Sequence, residues 1–285
     1  MDFKKISDLL LVLVAIAWGS TFILVQNALQ DIPPFSFLFI RFFLAFALMY
    51  IIFYKKISYN ISTIKAAMFL GLFNFLAFSL QTYALLYEKS SIVAFVTGFY
   101  VVIVPFFAFL FFKKQIKTNV IIGAFLSLIG LYLLSNSSGF KLSFGITLTL
   151  LCDIFVALHI LFTDIYSKKY NIFSLVTFQF LFVSLFSLIF TPFEHNKIIF
   201  SFDVFLAIFV TVIFATIFAY LVQTYAQRYT SPTKTAVIFT LEPVSAAIIG
   251  YFFGEILTLK QIIGGILVIA AILISEIGDK FKINE

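Results

Sequence analysis

The chain has 285 residues, of which 62% are hydrophobic and only 11% charged, where soluble domains carry roughly a quarter charged residues. So few polar side chains cannot cover a water-facing surface, which excludes a soluble globular domain. The lone cysteine, Cys152, excludes an intrachain disulfide scaffold. The net charge of +6 would suit a nucleic-acid ligand, but the cations sit between apolar runs, where they orient a membrane protein instead. No nucleic-acid partner is expected, and the lipid bilayer is.

Apolar runs of about 20 residues, the length of a helix that crosses a bilayer core, are bounded by charged and turn residues. They predict an all-α integral membrane protein with ten spans, at 8–28, 35–54, 65–86, 91–112, 119–135, 142–164, 172–191, 201–224, 234–253 and 258–276. Lys4 and Lys5 ahead of the first run, with Ala15-Ile16-Ala17, imitate a signal segment. That run continues past Trp18 to Val25, so it is read as an uncleaved span. Breakers fall between spans: Pro33-Pro34, Asn136-Ser-Ser-Gly139, Pro192 and Ser231-Pro232. The 42 phenylalanines accompany abundant Ile, Lys and Asn, a compositional bias rather than a binding cage.

Lys and Arg set orientation, since cytoplasmic loops hold the excess. With the N-terminus cytoplasmic, that side holds Lys4, Lys5, Lys55, Lys56, Lys65, Lys113, Lys114, Lys117, Lys168, Lys169, Arg228, Lys234, Lys280 and Lys282. The far side holds Lys89, Lys141, Lys197 and Lys260, and Arg41 lies within a span. Both termini are therefore expected in the cytoplasm, and the protein in the cytoplasmic (inner) membrane.

The halves repeat. Gln81-Thr82-Tyr83-Ala84 recurs as Gln223-Thr224-Tyr225-Ala226, an offset of 142 that also pairs Tyr87 with Tyr229, Ala94 with Ala236 and Gly123 with Gly265. Earlier, an offset of 138 pairs Phe35-Ser36 with Phe173-Ser174. Five spans per half is an odd number, so the second copy, 139–285, enters the membrane inverted relative to the first, 1–138. Charge agrees: Lys113, Lys114 and Lys117 are cytoplasmic, while the matching stretch around Gly254-Glu255 is poor in cations. Inverted repeats around a central site are a recurring design of secondary transporters.

Certain stretches carry a family resemblance: Ala17-Trp18-Gly19-Ser20-Thr21-Phe22; Phe37 to Ala45 with Arg41; Ala94-Phe95-Val96-Thr97-Gly98-Phe99-Tyr100-Val101-Val102-Ile103-Val104-Pro105; and Leu241-Glu242-Pro243 running to Gly254-Glu255. With them the chain resembles the drug/metabolite transporter superfamily, specifically its ten-helix EamA-type carriers, over nearly its whole length. The resemblance implies a small-molecule carrier, with amino acids, other metabolites, nucleotide-linked sugars or toxic compounds as cargo. The chain departs from the family's small-Trp-Ala pattern in the second half, where it reads Phe155-Val156-Ala157.

Ionisable groups at membrane depth are costly and face a cavity or a partner. Arg41, Asp153 and Glu242 qualify. Glu242 precedes Pro243, which lacks the N–H that would engage the carbonyl of Phe239, so a kink beside a carboxyl makes a gate or proton site. The alternative is a buried carboxyl that fixes packing. Arg41 could hold a carboxylate or phosphate bidentately, pair with Asp153 or Glu242, or reach the headgroups. Asp153 and Asp164 share a helix face; Asp164 is read as solvated and Asp153 as a coupling or substrate contact. Asn74, Phe78 and Gln81 form a stripe matched by Thr216, Tyr220 and Gln223, lining a path or joining helices. His159 is either a proton relay or a packing hydrogen bonder, and His195 beside Glu194 is read as solvated. Trp18 lines the cavity or packs. Gly123, Gly130, Gly264 and Gly265 permit close helix approach, within one bundle or between copies, which leaves the oligomeric state open.

The predicted substrate-binding set is Trp18, Arg41, Asn74, Gln81, Asp153, Tyr220, Gln223 and Glu242. No phosphate-cradling glycine loop, Cys/His cluster or nucleophile with a spaced His and acid is present. No cofactor or metal is expected, and the chain is not read as an enzyme. The leading expectation is a secondary transporter exporting an amino acid or similar metabolite by alternating access, with protons as the candidate coupling ion. The rivals are a membrane-embedded enzyme or flippase-like protein acting on lipid-linked or nucleotide-linked sugars, and a structural or sensory membrane protein.

Overall fold

A computed structural model describes residues 3–113, 118–134, 143–195, 198–252 and 258–277. Lys114, Lys117, the breaker 136–139, Lys141, Lys197, Gly254-Glu255, Lys280 and Lys282 lie outside the described residues. Among the described residues there are fourteen α-helices and no strand. They are α1 (Phe3–Gly19), α2 (Phe22–Ala28), α3 (Pro34–Phe53), α4 (Ile61–Ala84), α5 (Ser90–Thr97), α6 (Tyr100–Phe112) and α7 (Thr118–Leu134). After these come α8 (Phe144–Lys169), α9 (Ile172–Phe190), α10 (Phe202–Val210), α11 (Ala219–Ala226), α12 (Pro232–Phe239), α13 (Leu241–Phe252) and α14 (Leu259–Ile277).

By length and composition, eight helical stretches among the described residues suffice to cross a membrane: Ile6–Ala28, Pro34–Lys56, Ile61–Ala84, Ser90–Phe112, Phe144–Lys169, Ile172–Phe193, Phe202–Ala226 and Pro232–Phe252. Two shorter apolar helices, Thr118–Leu133 and Ile262–Ala271, occupy the remaining predicted spans. The breakers Pro33-Pro34 and Ser231-Pro232 stand at the starts of α3 and α12. Asn60, Ser143, Asn171, Ser201 and Ser231 each accept a backbone N–H with their side chain at an N-cap. Pro34 and Pro232 stand in the first turn, where a missing N–H costs nothing.

Four of the long stretches are not uniform helices. The first breaks at Ser20-Thr21, where both hydroxyls turn back onto the carbonyls of Ala17 and Trp18 and compete with the helical ladder. The fourth breaks at Gly98-Phe99 between α5 and α6, with tightened i→i−3 bonds on both sides. The stretch Pro232–Phe252 breaks at Thr240, three residues ahead of Pro243, and Thr240 Oγ1 bonds the carbonyl of Val237. In the stretch Phe202–Ala226, Thr211–Phe218 winds as a π-helix between α10 and α11.

The two halves interleave rather than sit side by side. α4 packs on α8 and α9, α3 on α9, α1 on α11 and α13, and α7 along α14. In the last pair the glycines act within this bundle: a Cβ on Gly130 would stand 2.7 Å from the carbonyl oxygen of Gly264. Side chains such as Ile51, Phe106, Phe205 and Phe252 are exposed and apolar, the surface that hydrocarbon requires. Many phenylalanines are on this outer face.

Inter-helix contacts gather the loops at two ends. At one, Gln26 Nε2 donates to the carbonyls of Leu85 and Glu88, Ser143 Oγ donates to Glu88, and Glu194 accepts from the N–H groups of Phe35 and Ser36. At the other, Ser58 N–H donates to Ser174 Oγ, and Arg228 donates to the carbonyls of Ser167 and Tyr170. These are called the Leu85 end and the Lys234 end below.

Candidate functional site

The breaks converge. A cavity lies between the halves, lined by residues from α1, α2, α3, α4, α5, α6, α8, α11 and α13. Seven of the eight predicted site residues line it: Trp18, Arg41, Asn74, Gln81, Tyr220, Gln223 and Glu242. Asp153 does not. It is fully buried on α8 behind Cys152, which does line the cavity, and neither carboxylate oxygen has a hydrogen-bond partner.

Arg41 does not pair with Asp153 or Glu242, and it makes no salt bridge among the described residues. Its Nε donates to Thr216 Oγ1 at 2.8 Å and its Nη2 to the carbonyl of Ala215 at 3.3 Å. The guanidinium carbon lies 4.7 Å from the ring centre of Phe78 and 5.2 Å from that of Phe42, a stacked arrangement open to a planar charged head. Trp18 Nε1 donates to the same Ala215 carbonyl at 2.8 Å. Ala215 belongs to the π-helical stretch, whose carbonyl thus holds an indole and a guanidinium together.

Tyr220 is the hub of the aromatic wall. Its ring centre is 5.6 Å from those of Trp18 and Phe180, 5.5 Å from His159 and 6.4 Å from Phe78. Its hydroxyl donates to Asn74 Oδ1 at 3.2 Å, joining the two predicted polar stripes directly. Asn74 Nδ2 and Gln223 Oε1 are buried and without protein partners. Both residues line the cavity, so a solute can supply the missing acceptor and donor.

Glu242 opens α13 just past the break at Thr240, and Tyr100 opens α6 just past the break at Gly98-Phe99. The Tyr100 hydroxyl donates to Glu242 Oε2 at 3.4 Å. Gly19 brings α1 against this point: a Cβ there would stand 2.3 Å from the Glu242 carbonyl oxygen and 2.7 Å from Ser245 Cβ.

His159 also lines the cavity, its Nε2 3.3 Å from Gln179 Oε1. Asp164 differs from the solvated reading. It is buried at 2% exposure and bonded to Lys168 Nζ at 2.5 Å, because the end of α8 is wrapped by the loop that carries Arg228. His195 is exposed as expected, and its neighbour Glu194 instead caps α3.

Sequence reasoning missed Thr21, Thr97, Tyr100 and Cys152 as cavity residues. The repeat could have found Tyr100, because it stands 142 residues before Glu242. At the same offset Phe78 matches Tyr220 and Gln81 matches Gln223, and at 138 Trp18 matches Val156 and Thr21 matches His159. All of these line the cavity.

Comparison with known proteins adds four findings. The sequence model of the EamA-like transporter family matches residues 5–136 and again 143–276. An uncharacterized transporter of Archaeoglobus fulgidus is 34% identical over 269 residues, 94% of this chain and 85% of that protein. An uncharacterized transporter of Buchnera aphidicola subsp. Schizaphis graminum is 29% identical, over 85% of this chain and 84% of the other. A solved crystal structure superposes with a TM-score of 0.80 over 98% of this chain and 99% of the other, at 13% identity, a likeness of fold alone.

Proposed function

Because the chain belongs to the EamA-like transporter family and is a multi-pass membrane transporter, we propose that it is a secondary carrier for a small zwitterionic metabolite, an amino acid or a close analogue. In this reading residues 1–138 and 139–285 are inverted five-helix repeats, and the two shorter apolar helices complete ten spans. Both termini lie on the cytoplasmic side of the inner membrane, and alternating access exchanges the two repeat conformations.

The observation that carries the proposal is the polarity of the cavity. Arg41 presents a guanidinium whose Nη1 has no protein acceptor among the described residues, and Asn74 offers an unused N–H. Glu242 and Gln223 Oε1 supply acceptors. Trp18, Phe78 and Tyr220 form an apolar wall among them. A carboxylate at one group, an ammonium at the other and an apolar side chain satisfy all three.

Export coupled to protons through Glu242 is the working direction, with Asp153 as the second carboxyl. The test is uptake of amino acids into proteoliposomes under an imposed pH gradient. Glu242→Gln is expected to slow substrate exchange at equal pH without abolishing it and to lose gradient-driven accumulation altogether. The same pH dependence in both proteins would remove Glu242 from the coupling role. Failure of every zwitterionic solute to exchange would sink the substrate class.

A further inference from the structure

The two ends of the bundle are closed by different chemistry. At the Lys234 end, Lys234 Nζ on α12 donates to Asp8 Oδ2 on α1 at 2.7 Å, and both residues are buried. Beneath the cavity, Gln223 Nε2 donates to Gln227 Oε1 at 3.1 Å, and Gln227 Nε2 donates to the carbonyl of Ile160 on α8 at 2.9 Å. Gln223 and Ile160 line the cavity, and Gln227, fully buried, does not.

The repeat offsets identify the matching positions at the Leu85 end. Asp8 corresponds to Ile146 and Lys234 to Ile92; Gln227 corresponds to Leu85 and Ile160 to Phe22. Asp8, Lys234 and Gln227 thus have apolar counterparts, while Gln223 is matched by Gln81. The cavity follows this difference. Leu85 and Phe22 line it, as do Val25 and Thr82, whereas Gln227, Thr163 and Thr224, the counterparts of Leu85, Val25 and Thr82, do not. The empty volume therefore extends toward the Leu85 end.

We propose that the buried Asp8–Lys234 pair and the Gln227 bridge form a polar gate that holds the Lys234 end shut, while the matching positions at the Leu85 end, Ile146, Ile92 and Leu85, carry apolar side chains and form no such gate. The carrier consequently rests open toward Leu85. The physical reason is the first stage of opening. A gap still too narrow for water must separate two charges and break the Gln227–Ile160 bond between helices with nothing to replace them. Isoleucine and leucine side chains part without leaving any group unpaired. The inference rests on the two-repeat carrier reading.

Cys152 reports on this directly, being the chain's single cysteine and a cavity residue. In sealed membrane vesicles of either orientation, its modification by a membrane-impermeant methanethiosulfonate is timed from each side. Wild type should react at least about tenfold faster from the Leu85 side. Asp8→Asn and, separately, Gln227→Leu should raise the rate from the Lys234 side by about tenfold or more, as expected when one member of a buried pair or bridge is removed. The exchange Asp8→Lys with Lys234→Asp should restore the wild-type ratio. Gln227→Leu installs the residue found at the opposite end and tests the gate even if Asp8→Asn does not fold. Unchanged rates from the Lys234 side in folded, transporting variants would overturn the gate and leave the carrier reading intact. Equal wild-type rates from both sides, unaltered by substrate, would instead overturn the carrier reading.

Discussion

Tyr100 and Glu242, which are 142 residues apart, meet across the cavity with the tyrosine hydroxyl 3.4 Å from Glu242 Oε2. The offset that separates them is the one that aligns Gln81-Thr82-Tyr83-Ala84 with Gln223-Thr224-Tyr225-Ala226. Equivalent positions of the two halves therefore touch, each at the first turn after a helix break. The contact joins α6 to α13, so a change at it acts on both helices at once. Tyr100→Phe removes the donor and leaves the ring. A bond of this length contributes about 0.5–1.5 kcal/mol, so the transport rate is expected to fall roughly two- to tenfold with the fold intact, as measured by initial uptake in proteoliposomes beside a melting curve. A rate equal to wild type would show that the contact carries no functional energy.

Gly19 is held against backbone. A methyl group added there would stand 2.3 Å from the Glu242 carbonyl oxygen, which cannot swing away as a long side chain could. Gly19→Ala should destabilise the protein by about 1–3 kcal/mol, the range for overpacking, and displace α1 from α13, lowering transport more than stability. Thermal melting of the detergent-solubilised protein and uptake at a temperature well below the transition separate the two effects. An unaltered melting temperature would argue that α1 and α13 are not tightly packed here.

Arg41 uses Nε and Nη2 on Thr216 and Ala215, and its guanidinium carbon lies 4.7 Å from the Phe78 ring centre. Arg41→Lys preserves charge but neither the fork nor the stacking. The half-saturating concentration for an anionic or zwitterionic substrate should rise about tenfold, with a smaller change in maximal rate. A drop in maximal rate at unchanged half-saturation would assign Arg41 to helix motion rather than to binding.

Much of this molecule is legible in its sequence because hydrocarbon is an unforgiving solvent. Runs of apolar residues announce helices, since unpaired backbone groups are prohibitively costly in lipid. Against such runs Arg41, Asn74, Gln81, Gln223 and Glu242 stand out, and all five line the cavity. Tyr100, Thr97 and Thr21 did not stand out, because tyrosine and threonine are unremarkable in a span and only packing decides which face of a helix meets the cavity.

What the sequence determined by itself is therefore the class of solvent, the approximate spans, the internal repeat and a short roll of polar residues misplaced for lipid. The tertiary structure decided their partners. It turned Arg41 toward Ala215 and Thr216 instead of a carboxylate, and left Asp153 behind the cavity wall. It buried Asp164 beside Lys168 and Asp8 beside Lys234. It also placed the breaks at Gly98 and Thr240 and the π-helical turn around Ala215. Hydropathy is a property of each side chain and survives in the one-dimensional string. The choice among hydrogen-bond partners depends on which helices become neighbours, and that is settled only when both halves pack together.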